Sequence, residues 1–512
     1  MKQKSFYITT TLPYVNAPLH MGHALEMIRA DAVARYKKLA GFDVFFNTGT
    51  DEHGKKNYDK ALELGLNPQE FADRAFETFR EQLGMFGVGN NPDLHFIRTT
   101  EKRHIQAAQE FWRRVQKNGY IYKKNYQAKY CVGCEAEKTN SELDEKGECP
   151  LHPGKALELI DEENYFFKLS EFDDKLLQFY KKCPNFVVPD FRLNEMKNLI
   201  QAGLKDISIS RLKEKMPWGI PVPGDDEHVI YVWFEALVDY ISTLGWPKTC
   251  ANCASSAELA QSASSRPEEP ECNFCKYWIH GTPTQYCGKD NTRFQAVIWQ
   301  AMLMAAGLPN SYQIVVNGFI TAEGGARMSK TVGNVVDPRD IVKEYGADAL
   351  RYFLLREVSS FEDSPFTLER FKEAYNAGLA NGLGNLMSRI MTMAVNYNVS
   401  YRDYLNADDE LTDNFHGFPG KEIGFYESFE LNKIMEDIWH DISALDVYIQ
   451  REKPFEKIKT SEIQAKKDIA YLCSQLYRIS SRLEPLLPET SQKIQESIKQ
   501  NKKPETPLFI RK

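Results

Sequence analysis

KSFYITTTLPYVNAPLHMGHALEMIRADAVARYKKLAGFDVFFNT, residues 4–48, changes period twice. Lys4–Thr10 alternates like a strand, whereas Met21, Leu25, Ile28, Ala32, Tyr36 and Leu39 recur near helical spacing. Gly41 stops that helix, and Asp43–Thr48 is strand-like again. GTDEHG (49–54) reads as a turn, two helical stretches follow, and HFIRTT (95–100) reads as another strand. Strand and helix in alternation predict an α/β fold built on a parallel sheet.

In such a sheet, ligands sit at the carboxyl ends of strands, against helix N-termini. His20 and His23 fall at that place, with Gly22 between them removing a side chain. Three readings compete: two surface histidines at a helix start, a metal pair, or a phosphate grip. A metal pair normally uses i, i+4 on a formed helix. Spacing of i, i+3 at a helix entry suits phosphate better.

The 512 residues predict several domains. With 42% hydrophobic and 26% charged residues the composition is that of a soluble globular protein. The net charge of −7 does not advertise nucleic-acid binding, although a local basic patch can hide in an acidic average. Ile449–Lys512 is such a region, with 14 Lys and Arg against 8 Asp and Glu, either a solvated helical face or an RNA contact. No apolar run approaches the roughly 18 residues of a membrane span. The N-terminus lacks a signal-peptide pattern, so a cytoplasmic location is expected.

Near Gly119 the α/β pattern gives way to a Cys/His cluster and many aromatics, as for an inserted domain. Sheet-like segments return at HVIYVWF (228–234), YWIHG (277–281) and IVVNGFI (314–320), with a helix from Phe294 to Ala306. ASSAELAQSASSRPEEPE (254–271) reads as flexible linker. From Leu368 the pattern is long helices, an α-helical bundle.

GGARMSKTVGN (324–334) offers a partner for the histidines: a glycine-flanked loop with a cation at its tip. HMGH followed by RMSKT resembles the two signature motifs of class I aminoacyl-tRNA synthetases. TLPYVNAPLHMGH, GTDEHG, YCVGCEAEKT, CPLHPG, EENYFFKLSEF, GLKDISISR, WGIPVPGD, HVIYVWFEAL and GNVVDP extend the likeness to bacterial methionyl-tRNA synthetases over nearly the whole chain, apart from about 248–276. The space between the α/β halves is too short for the editing domain of the valine, leucine and isoleucine enzymes.

The resemblance implies a Rossmann-like catalytic domain in two halves (1–118 and 206–322) split by a connective insertion with a zinc knuckle (119–205). A signature-loop and stem-contact region (323–366) and a helical anticodon-binding domain (367–512) would follow. The implied activity is methionine–tRNA ligation, with ATP, L-methionine and tRNA(Met) as partners, magnesium accompanying ATP, and a monomeric enzyme. His20, His23 and Lys330 are the implied catalytic residues. Gly22, Gly288, Asp290, Asn317, Arg327 and Ser329 would join them in holding ATP. Leu12, Tyr14, Asp51, Trp233, Ala236, Tyr240 and Gln295 would hold methionine. Asp51 supplies a charge for the ammonium, and the aromatic residues supply polarizable walls for a thioether. Gln295 and Asn317 stand where the family usually has His, and neither titrates near neutrality. Asn385, Arg389 and Phe455 resemble anticodon-reading positions, with Phe455 in place of the usual Trp.

Cys131-x2-Cys134, then Cys149-x2-His152, has the spacing of a structural tetrahedral zinc site. Cys250-x2-Cys253, then Cys272-x2-Cys275, repeats it inside the 248–276 insertion. That quartet has three readings: a second zinc, incidental thiols, or a redox-labile pair. Two rival functions remain at this point: a small nucleotidylyltransferase, and a zinc-ribbon RNA-binding protein on a decayed synthetase.

Overall fold

The computed structural model describes residues 3–134, 136–138, 142–248, 272–325, 336–400, 402 and 418–512. These divide into two compact units, Met1–Leu19, Asp43–Glu81 and Asp93–Val316 in one, and His20–Phe42, Gln82–Pro92 and Asn317–Lys512 in the other.

The first unit holds the parallel sheet. Its strands are β1 (Ser5–Thr9), β2 (Asp43–Thr50), β3 (Leu94–Arg98), β4 (Val187–Val188), β5 (Thr282–Gly288) and β6 (Gln313–Asn317), in the order β3-β2-β1-β5-β6-β4. β1 pairs in parallel with β2 (Ile8↔Phe46) and with β5 (Ile8↔Thr284). Strand order therefore reverses beside β1, the switch point where open α/β sheets bind ligands. Tyr7, Ile8 and Phe46 are fully buried, which fits near-continuous apolar runs covered on both faces. Phe111, Trp112, Trp246 and Trp299 fill the adjoining core, with Phe111 stacked on Trp299 at 5.7 Å.

Between β3 and β5 the chain builds an antiparallel sheet from Ile121–Cys131, Ala136–Lys138, Glu158–Phe167 and Ile207–Ser208. This is the region read as an insertion, yet Val187–Val188 leaves it to pair with β6 as the edge of the parallel sheet.

Two sheet-like expectations fail. HVIYVWF divides: Asp225–Ile230 is a strand of a separate antiparallel sheet, and Val232–Ala236 is a helix. YWIHG lies largely in the helical turn Phe274–Ile279, and β5 starts only at Thr282. Most of the apolar residues in both segments are buried, and a short buried run has no period that separates strand from helix.

In the second unit, α1 (Met21–Leu39) is also buried on nearly every face. Its charges are matched there. Asp31 meets Arg351 at 2.7 Å and Arg35 at 2.9 Å, and accepts from Asn91 at 2.8 Å. Arg29 donates to the carbonyls of Val358, Ser359 and Ser360 and to Asn317 Oδ1. Gly41, at φ 86°, turns the chain after α1 as its sequence position predicts. Beyond Pro365 the described residues form no strand. Asn385–Asn396, Leu431–Glu452, Glu462–Leu483 and Pro488–Lys499 are the main helices of a bundle. No helix among the described residues is long and apolar enough to cross a membrane.

Candidate active site

The carboxyl ends of β1 and β2 carry the first cluster. After β1 the chain runs through Leu12 and Tyr14, and after β2 it reaches Asp51. Tyr14 and Asp51 form a parallel bridge, with Asp51 N–H donating to Pro13 O at 3.0 Å. Asp51 is buried. Asn57 Nδ2 donates to the carbonyls of Asp51 and His53, which stiffens the turn.

Trp233 and Ala236 lie on the helix Val232–Ala236, and Tyr240 on Asp239–Ser242. Trp233 meets Tyr14 edge-on at 6.3 Å and stacks on Phe294 at 3.9 Å. Its indole N–H has no partner among the described residues. Gln295 is buried and directional: its Oε1 accepts from Gln285 Nε2 at 2.9 Å, and its Nε2 donates to the Tyr240 hydroxyl at 2.5 Å. Six of the seven expected methionine residues are thus linked through the two strand ends or through these helices and the Gln295 bond. Leu12 follows β1 directly. Past the end of β5, Gly288 leaves room for Asp290, whose Oδ1 lies 2.8 Å from where a Cβ would stand.

Sequence reasoning passed over Phe294, His53, His104 and Glu235. The first stacks on an expected wall. The other three form a buried cluster in which Glu235 accepts from His53 and His104. GTDEHG and HVIYVWFEAL had flagged the stretches that contain His53 and Glu235, but nothing in a sequence shows that residues 182 positions apart are hydrogen-bonded.

In the second unit, His20 is the N-cap of α1. Its Nδ1 accepts from Gly22 N–H at 3.1 Å and from His23 N–H at 3.4 Å, while His20 N–H donates to His23 Nδ1 at 3.3 Å. Each Nδ1 is therefore an acceptor, which leaves the proton of each neutral ring on Nε2. Burial, and then the neighbouring His20, hold His23 well below the ordinary imidazole range, so its neutral form prevails at pH 7. Two Nε2–H donors at a helix N-terminus suit a phosphate and do not suit a metal, which needs a ring lone pair. A Cβ on Gly22 would stand 3.0 Å from His20 Cε1, so the glycine admits the His20 ring itself. Asn317 is buried, its Oδ1 held by Arg29 at 2.9 Å and its Nδ2 without a partner among the described residues. Lys330, Arg327 and Ser329 lie outside the described residues.

A family profile described as tRNA synthetases class I (M) matches residues 6–157 and 152–391. The methionine–tRNA ligase of Thermotoga maritima is 36% identical over 509 residues, 98% of this chain and 76% of that one. That of Rickettsia felis is 36% identical over 98% of this chain and 93% of its own. A Mycobacterium tuberculosis methionyl-tRNA synthetase solved with methionyl-adenylate superposes with a TM-score of 0.84 at 31% identity, covering 99% of this chain and 100% of that one.

The chain belongs to the class I methionyl-tRNA synthetase family.

Membership removes the nucleotidylyltransferase reading, because the likeness spans both α/β halves and the helical end. Cys131, Cys134, Cys149 and His152, the expected zinc knuckle, come together with their ligand atoms all within 4.8 Å of one another. Separations of 3.5 Å (Cys134 to Cys149) and 3.3 Å (Cys134 to His152 Nδ1) are those of ligands around a tetrahedral zinc with bonds of about 2.0–2.3 Å. A Cβ on Gly133 would fall 2.4 Å from the His152 ring, so the glycine makes the fourth ligand's place. These four residues can hold one structural zinc. Of the second quartet, Cys250 and Cys253 lie outside the described residues.

In the helical end of this synthetase-family chain, Asn385 is exposed at the start of its helix, and Arg389 pairs with Asp446. Phe455, 43% exposed, follows Lys453, whose left-handed backbone (φ 43°) separates two helices and turns the chain.

Proposed function

We propose that the chain activates methionine with ATP to methionyl-adenylate and then transfers the methionyl group to the 3′ end of tRNA(Met). The observation that carries this is the buried carboxylate of Asp51, bridged to Tyr14 and set beside a Trp233–Phe294 aromatic wall at the switch point of the sheet. A carboxylate matched to an ammonium, with polarizable rings beside it, suits methionine.

In the first step a methionine carboxylate oxygen attacks the α-phosphorus of ATP and pyrophosphate leaves. That oxygen is already ionised at pH 7, so no general base is needed, and catalysis consists of positioning and charge stabilisation. His20 and His23 donate Nε2–H to phosphate oxygens as charge builds, and Lys330 closes on the departing pyrophosphate. Gly288, Asp290, Asn317, Arg327 and Ser329 complete the nucleotide contacts. Magnesium would accompany ATP and supply charge neutralisation at its phosphates. Leu12, Ala236, Tyr240 and Gln295 line the methionine side chain. In the second step the terminal ribose hydroxyl attacks the carbonyl and AMP leaves. Asn385, Arg389 and Phe455 contact the anticodon, Phe455 by stacking. A zinc held by Cys131, Cys134, Cys149 and His152 would stabilise the connective insertion and take no part in the chemistry.

Methionine-dependent ATP–pyrophosphate exchange tests this reading. Exchange with methionine and not with leucine, isoleucine or valine is expected. No exchange with methionine overturns it.

A further inference from the structure

Glu235 is a buried carboxylate that the mechanism above does not use, and it stands between residues that the mechanism does use. It lies two positions after Trp233 and beside Ala236. Its Oε1 is 2.9 Å from His53 Nδ1, and its Oε2 is 2.7 Å from His104 Nε2. His53 is two residues after Asp51 in the same turn, which Asn57 ties together by donating to both carbonyls. His104 Nδ1 in turn is 3.0 Å from Ser242 Oγ, on the helix that carries Tyr240. One carboxylate therefore joins the Asp51 turn, the Trp233 helix and, through His104, the Tyr240 helix.

Each imidazole donates one N–H to Glu235. Burial raises the Glu235 carboxyl, but the two histidines together outweigh it and hold the group below its ordinary range, so it is ionised. A buried carboxylate is costly in the core, and well-packed apolar residues of similar volume commonly serve stability as well or better. Its presence next to a substrate site is therefore better explained by the geometry it imposes.

We propose that Glu235 is a positioning residue for methionine: through His53 and His104 it holds the carboxylate that takes the ammonium, Asp51, at a set separation from Trp233 and Tyr240, which take the side chain. The inference rests on the methionine pocket described above. Methionine is short, so an error of about 1 Å between its two anchoring points cannot be absorbed by the ligand and weakens binding.

Pyrophosphate exchange on the full chain tests it. Glu235→Ala is expected to raise the methionine KM by about tenfold or more while the ATP KM stays within about twofold. Glu235→Gln keeps one acceptor and offers an amide N–H that an imidazole can accept by changing tautomer, so it restores the methionine KM to within about threefold of the parent. Asp51→Asn, measured in parallel, tests the pocket itself. A raised methionine KM in Asp51→Asn with none in Glu235→Ala, whatever its melting temperature, overturns the positioning role alone. No effect of Asp51→Asn overturns the pocket and this inference with it. Should Glu235→Ala not fold, His53→Ala takes its place. His53→Asn, whose amide reaches the Nδ1 position, is then the rescuing variant, and an unchanged methionine KM in His53→Ala overturns the proposal.

Discussion

The imidazoles of His20 and His23 stack 3.7 Å apart at an interplanar angle of 18°, each bound through Nδ1 to the other's backbone N–H. Gly22 makes that stack possible. Gly22→Ala places a methyl group 3.0 Å from the His20 ring yet improves helix propensity. Its melting temperature is expected to stay level or rise while kcat for pyrophosphate exchange falls by about 10²-fold, the scale on which misplacing one charge-stabilising donor acts. Full activity in this variant excludes the reciprocal cap as the source of donor placement.

Gln295 presents a second test. Gln295→Leu leaves the buried Gln285 amide and the Tyr240 hydroxyl without their shared partner, at a cost of about 1–3 kcal/mol. A methionine KM raised by about tenfold is expected. Gln295→His restores a polar contact but adds a group that titrates near neutrality. Its methionine KM should vary between about pH 6 and pH 7, where that of the parent does not. A flat profile in both removes the assignment.

The zinc site hinges on Gly133. Gly133→Ala drives a methyl group into the His152 ring, so the fourth ligand swings away. Elemental analysis after dialysis against a chelator should find about one zinc per parent chain and clearly less in the variant. Equal retention rules out His152 as a ligand.

Asp225 anchors the insertion to the neighbouring strands. It meets Lys123 at 2.8 Å, the Tyr165 hydroxyl at 2.9 Å and His228 Nδ1 at 3.0 Å. Burial alone would raise its carboxyl, but Lys123, His228, Tyr165 and the Glu227 N–H outweigh it and hold the group well below the usual carboxylate range. A folded pKa depressed in this way contributes stability that is present above the unfolded value of about 3.9 and is lost as pH falls through the folded value. Asp225→Asn should therefore cost about 1–3 kcal/mol in urea unfolding at pH 7, with the gap to the parent narrowing in strong acid. A gap independent of pH contradicts the charged role.

Much of this molecule can be read from its local pattern. β1, α1 and β2 follow from the strand–helix–strand change of pattern and from Gly41, although the fold buries them on nearly every face. The Cys/His quartet follows from spacing, because a zinc ligand set needs short loops of set length. Both signature motifs, and with them the family, follow from residues close together in the chain. Other features needed the folded chain. HVIYVWF and YWIHG are largely apolar and mostly buried, and such burial erases the period that separates strand from helix. The proton positions on His20 and His23 depend on which backbone N–H groups their rings meet. The bond from Gln295 to Tyr240 and the bridge from Glu235 to His53 and His104 join segments tens to hundreds of residues apart. Such pairings are products of packing, and a linear pattern carries residue types and intervals but not the contacts that packing creates.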